Sequence, residues 1–205
     1  PDTLSVNVDP NIKEIEIHFD EYIQLKDYKT NAVVSPPFER NPIISPLSNA
    51  DKVVKIKLQE PLLENTTYSF NFGDAIQDFN ENNKLSNFTY VFSTGSYIDS
   101  LNVKGKVFSG YDFELPKKVL VGLYEADSTF NDSVILKSKP YYISRVDEKG
   151  EYNLKYLRPG NYKIVAFQDE IENNKFDLGR EKIAFQNELI NLEGNQEIDL
   201  KLFKP

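Results

Sequence analysis

The chain contains no cysteine, no methionine and no tryptophan, and its one histidine is His18. Without cysteine there is no disulfide, no thiol nucleophile and no thiolate metal site within these residues. No serine sits in a Gly-x-Ser-x-Gly elbow, and no second histidine exists to activate one. Translation starts at methionine, so the chain is expected to be a fragment or a processed product. Any signal peptide, lipid-anchor cysteine or membrane span is then expected outside it. No apolar run approaches the roughly 20 residues of a spanning helix. A basic run is missing too, and the net charge is −8 with a pI near 4.8. Nucleic acid, which needs a cationic face to neutralise phosphates, is excluded as a partner.

What is present favours strands. The chain is 40% hydrophobic, with 14 Phe and 12 Tyr, enough to build a sizeable core and too much for a disordered chain. Aromatic and β-branched residues dominate that set, and these suit a pleated surface. Ile15, Ile17 and Phe19 alternate with Glu14, Glu16, His18 and Asp20, the mark of a strand with one dry and one wet face. Lys52–Leu58 repeats the device with Val54, Ile56 and Leu58 inward and Lys55 and Lys57 outward, so acid and lysine faces suit cross-strand pairing. Tyr68, Phe70 and Phe72 share a face, as do Phe88, Tyr90 and Phe92. Prolines in Ser35-Pro36-Pro37 and Asn41-Pro42 imply loop or edge backbone between the first two strands.

After Gly95 the pattern restarts, with strands expected at Leu101–Val107, Val119–Tyr124, Tyr141–Val146, Tyr152–Leu154, Tyr162–Phe167, Ile183–Phe185 and Ile198–Leu202. No long amphipathic helix is legible; single turns fit near Leu115–Lys118 or Asn187–Ile190. The reading is all-β, two tandem β-sandwich domains, residues 1–96 and 97–205, joined near Gly95–Tyr97.

Three segments carry a resemblance: Phe19-Asp20-Glu21 closing a strand, Pro61-Leu62-Leu63-Glu64-Asn65-Thr66-Thr67-Tyr68 leading into another, and the terminal Phe92-Ser93-Thr94-Gly95. In this order they resemble the bacterial Ig-like domains of S-layer and other surface proteins. In the second half, Val103-Lys104-Gly105-Lys106-Val107, Asp147-Glu148-Lys149-Gly150-Glu151-Tyr152 and Leu157-Arg158-Pro159-Gly160-Asn161-Tyr162 resemble a carboxypeptidase-regulatory or transthyretin-like domain. The pair together resembles the Ig-like-domain outer-membrane lipoproteins of Bacteroidota. That resemblance implies a lipid-anchored outer-membrane protein, on the cell surface or the periplasmic face. It implies no catalytic activity and an envelope protein as partner, plausibly an assembly, secretion or uptake machine; that step is analogy.

Candidate sites follow from the residues. Asp78, Asn80 and Asn82 place oxygens at alternate positions, as calcium loops do, and fit an Asn-rich hairpin equally. Asp169, Asn173 and Asp177 form a second such loop. It resembles an Asp-x-Asn-x-Asn calcium loop in which Ile171 replaces a ligand, favouring a metal-free loop. Calcium is thus the one cofactor left open. His18, beside Glu16 and Asp20 on a wet face, reads as a solvated strand residue. Pairs such as Glu125/Asp127 have glycosidase chemistry in principle, but nothing marks them as desolvated. No catalytic residue is assigned, and a small-molecule substrate is not expected. Loop aromatics Tyr22, Tyr28, Phe38, Phe79 and Phe130 are the candidate partner anchors, with Ser35–Pro46 the foremost docking loop. A carbohydrate-binding or adhesive module is the alternative, weakened by the lack of tryptophan. Thr3, Ser100 and Ser133 follow aspartate and precede a hydrophobic residue, resembling the O-glycosylation acceptors of Bacteroidota; Asp127-Ser128-Thr129 is a weaker instance.

Overall fold

The computed structural model describes residues 1–47, 49–110, 117–127 and 130–205. Among these the protein is all-β, in two compact units, Pro1–Ile98 and Asp99–Pro205.

The first unit opens with β1 (Glu14–Leu25), a helical turn α1 (Tyr28–Asn31), β2 (Val33–Ser35), β3 (Ile43–Ser45) and β4 (Asp51–Lys57). It continues with β5 (Thr67–Asn71), β6 (Ile76–Asp78) and β7 (Thr89–Ser93). One sheet runs β3-β4-β1-β6 and the other β2-β5-β7. The alternation in β1 and β4 buries Ile15, Ile17, Val54 and Ile56 while Glu16 and Lys55 face water, 2.8 Å apart, so the expected cross-strand pairing forms. Against this face the second sheet sets Tyr68, Phe70 and Phe92, with stacked rings 5.6 and 6.3 Å apart. Residues 4–8 pair along the open side of β7: Leu4 N donates to Val91 O, Ser93 N to Ser5 O and Val8 N to Ser93 O.

The three resemblance segments meet in space. Asn65 turns the chain at φ 49°, a conformation asparagine tolerates. Thr66 N then donates to Thr94 Oγ1 at 3.0 Å, and Thr94 Oγ1 donates to Leu63 O at 2.7 Å. Gly95 must be small, because a Cβ there would stand 3.1 Å from Asn65 Cα. The Asn-Thr-Thr and Ser-Thr-Gly segments are therefore two halves of one clasp that closes the sandwich.

The second unit holds β8 (Leu101–Ser109), β9 (Val119–Glu125), a helical turn α2 (Ser133–Lys137), β10 (Tyr142–Arg145) and β11 (Glu151–Leu157). β12 (Gly160–Gln168), β13 (Ile183–Phe185), β14 (Ile190–Leu192), β15 (Gln196–Glu197) and β16 (Leu200–Leu202) complete it. One sheet runs β10-β9-β12-β13 with β14 also on β12; the other runs β11-β8-β15, with β16 parallel to β8. The core between them takes Val103, Leu154 and Leu200 from one sheet and Val121, Leu123 and Ile164 from the other. The far face of β9 is buried as well, with Leu120 and Tyr124 nearly inaccessible. Pro140 lies over Gly122 there, where a Cβ would come within 2.5 Å of the proline ring. Glycine in this central strand is the space the covering layer occupies.

The helical turns form elsewhere than expected. Asn187–Ile190 is bend and strand, and the Leu115–Lys118 segment lies partly outside the described residues. The short strands β2, β3 and β6 carry no readable alternation, being three residues each.

Candidate interaction site

β1 breaks its register with β4 between His18 and Ile23, so that Phe19-Asp20-Glu21-Tyr22 bulges opposite Lys52. A bulge increases local twist and re-aims side chains. Beyond it β1 pairs on its other side with β6, Ile23 opposite Asp78 and Leu25 opposite Ile76. The ladder ends where Phe79 N donates to Tyr22 O at 2.9 Å, setting these two aromatics directly opposite one another. Opposed residues share a face. The inward face at this point is Ile23 and Ile76, so Tyr22 and Phe79 stand outward, 52% and 51% exposed. Lys52 lies against Tyr22: its ammonium is 5.3 Å from the ring centroid and donates to Asp20 O at 2.7 Å. Exposed rings held by a sheet lose little entropy on docking, which is why aromatics concentrate binding energy at interfaces.

On the inward side of the same bulge lies a cleft of about 210 Å³, floored by Ile23 and Ile76 and walled by Phe19 and Leu85. Glu21 and Asp78 stand at it with their carboxyl groups hydrogen-bonded together. That bond to Asp78, and the charges of Asp78, Asp20 and Glu81, push the Glu21 carboxyl above the ordinary glutamate range. Asp78 moves the other way, chiefly because the Glu81 N–H donates to its Oδ1 at 2.5 Å, with the Glu21 bond adding to it.

The other anchors fare differently. Phe38 is not a loop anchor: it is 6% exposed and stacks on Tyr68 at 5.4 Å. The prolines around it made the segment read as a surface loop, but the Ser35–Pro46 stretch plugs the sandwich instead. Glu60 holds it down by accepting from Glu39 N and Arg40 N, both at 3.0 Å. Tyr28 is half-buried against the first core and Phe130 half-buried in the second unit, so neither presents a free ring.

In the Asp78 loop, Asp78 Oδ1 accepts from Glu81 N and Asn82 Oδ1 from Gln24 Nε2 at 3.0 Å, while Asn82 adopts φ 60°. These oxygens organise a hairpin. In the second loop Asp169 is 2% exposed and accepts from Asn173 N and Asn174 N at 3.0 and 3.1 Å. Asn173 Nδ2 donates to Asp177 Oδ2 at 2.8 Å. The centre of this loop is Glu181, a residue the sequence reading passed over because it lies four positions past Asp177. It is fully buried and accepts from Glu170 N and Asp177 N, both at 2.8 Å. Desolvation raises its pKa despite those two donors, and Asp169 and Asp177 add to the rise. Among the described residues no group of three or more acidic or histidine side chains is arranged to hold a metal ion.

Glu125 of the Glu125/Asp127 pair is ion-paired to Arg158, whose guanidinium lies 5.1 Å from the Tyr141 ring centroid. His18 is exposed on the outer face of β1, 3.4 Å from Glu16. Of the three acceptor hydroxyls, Thr3 bonds to the Val91 backbone and Ser133 to Asn131, while Ser100 is exposed. Ser128 and Thr129 lie outside the described residues. No helix among the described residues is long and apolar enough to cross a membrane.

Residues 1–94 match the model of the bacterial Ig-like domain family. That part of the chain is similar to an Ig-like domain. No curated protein matches it in sequence. Solved structures similar to the chain include BcpA, the major pilin subunit of Bacillus cereus, at 10% identity and TM-score 0.32, covering 99% of this chain and 67% of that one. The S-layer protein rSbsC is 12% identical at TM-score 0.29, covering 94% of this chain and 26% of that one. The group B streptococcus pilus 2b backbone protein is 9% identical at TM-score 0.27, covering 98% of this chain and 90% of that one. These superpositions are loose. The three segments that match the Ig-like pattern are the bulge beside Tyr22 and the two halves of the clasp, so the Ig-like signature here is a set of structural devices.

Proposed function

We propose that this protein is a non-catalytic interaction or scaffolding module of the cell envelope. In this reading the second unit is a carboxypeptidase-regulatory or transthyretin-like sandwich. The chain is held at the outer membrane by a lipid anchor and serves an assembly, secretion or uptake complex. The observation that carries the interaction reading is the outward Tyr22–Phe79 pair, two half-exposed aromatics set opposite one another where β1 and β6 pair. The Ig-like match over residues 1–94 supports a surface setting, because such domains serve as rigid spacers and docking frames there.

The test is capture of a stoichiometric partner from solubilised envelopes of the source cells, with native chain and with the Tyr22→Ala/Phe79→Ala variant. Retention by the native chain and loss in the variant is expected. Equal retention by both removes the aromatic pair from the function. The same rings favour carbohydrate stacking as a second reading; binding on a glycan array that is lost in the variant would replace the protein partner with a glycan.

A further inference from the structure

The cleft beside the bulge is built for a long cation. Its floor is apolar, Ile23 and Ile76 being 5% and 1% exposed, and its open wall is Leu85, 43% exposed. At it stand three carboxylates, Asp20, Glu21 and Asp78. Lys84 and Asn83 line the cleft too, and the two lysines here already have partners. Lys84 pairs with Asp74 at 3.3 Å, and Lys52 donates to Asp20 O under the Tyr22 ring. An apolar slot whose acidic residues outnumber its one lysine complements a side chain with a methylene stem and a cationic head. The surrounding field has the same sign: the first unit holds 14 acidic against 8 basic residues.

We propose that this cleft receives a single lysine or arginine side chain from an extended segment of the partner protein. The stem lies on Ile23, Ile76 and Leu85, and the head pairs with the Glu21 and Asp78 carboxylates. The assignment rests on the interaction-module reading and names its partner's chemistry. Binding weakens with salt.

The probes are N-acetyl-lysine methylamide, N-acetyl-arginine methylamide and the uncharged N-acetyl-norleucine methylamide, titrated into the isotope-labelled full chain and followed by amide and carboxyl NMR shifts. Saturable shifts at Glu21, Ile23, Ile76, Asp78 and Leu85 are expected with both cations. The norleucine compound should bind on the order of tenfold more weakly, the charge-assisted bonds being lost. Glu21→Gln, at an exposed position, should weaken the lysine compound by a similar factor with no change in thermal midpoint. Leu85→Ala should weaken both cations and the norleucine compound alike. Absence of saturable shifts overturns the proposal. So does equal binding of norleucine, undiminished binding by Glu21→Gln, or the same shifts produced by calcium chloride alone. A chain that captures its partner through Tyr22 and Phe79 but ignores the lysine compound refutes the cleft alone. One that binds the lysine compound but captures nothing refutes the interaction reading and leaves the cleft.

Discussion

Asparagine carries much of the turning in this chain. Asn7, Asn65, Asn82, Asn87 and Asn174 all adopt positive φ, a conformation that costs most other side chains one to two kcal/mol. Asn65 matters most, since it presents Thr66 to Thr94. Thr94→Val keeps the shape and removes the hydroxyl that accepts from Thr66 N and donates to Leu63 O. The expected loss is about 1 kcal/mol, one half-buried donor losing its partner while Leu63 O turns to water, read from urea denaturation. Glu181 offers a second residue-scale test. Burial raises its pKa above the ordinary 4.5, so the folded state binds its proton more tightly than the unfolded chain does. Its favourable contribution is complete below that value and is lost as pH rises through the folded pKa. Glu181→Gln cannot ionise, so its thermal midpoint relative to the native chain should rise between pH 4.5 and neutrality. A relative midpoint that falls over that interval would mean the two backbone donors outweigh desolvation.

Among the elements, β8 depends on what it lacks. A Cβ on Gly105 would lie 1.9 Å from Ile198 O, because β15 gives way to β16 there and the parallel chain closes on β8. At this break Asp199 Oδ1 takes the Lys106 N–H at 2.7 Å, and Tyr152 Oη donates to Ile198 O at 2.6 Å. Gly105→Ala must push the last strand away. The expected cost is about 3 kcal/mol, and amide exchange should quicken first at Lys106 and Ile198. The bulge in β1 is the corresponding device of the first unit. Phe19 to Tyr22 carry the strand past Lys52, so that Ile23 meets Asp51 of β4 on one side and Asp78 of β6 on the other. Alternation shows β1 only as far as Asp20, because the bulge interrupts the period. β6 is too short to show one, and so the ladder that fixes Tyr22 against Phe79 is absent from any local pattern.

On the scale of the molecule there are two cores with no residue in common, one from Val8 to Phe92 and one from Val103 to Leu202. Each buries its own strands on both sheets, so each holds the apolar area a domain of about 100 residues needs. Residues 1–98 and 99–205 produced as separate chains should each unfold cooperatively, with m-values in denaturant in keeping with their size. Non-cooperative melting of either would show that its core is incomplete alone. The acidic balance is concentrated in the first of them, the unit that carries the Tyr22–Phe79 face and the cleft.

Alternation, aromatic content and turn residues by themselves determined the all-β class, the inward faces of β1, β4, β5 and β7, and the Ig-like likeness of the first half. These depend on neighbours one to four positions apart. The tertiary structure decided which aromatics are free. Phe38 reads as a loop residue beside prolines, yet it is drawn under Tyr68 because the sandwich end would otherwise be open. Tyr22 and Phe79, 57 positions apart, become one surface only when β1 and β6 pair. Glu21 and Asp78 become one acidic site for the same reason. Burial of a face leaves a periodic mark in sequence, while a site made across a ladder depends on register, which a bulge resets and no local pattern records.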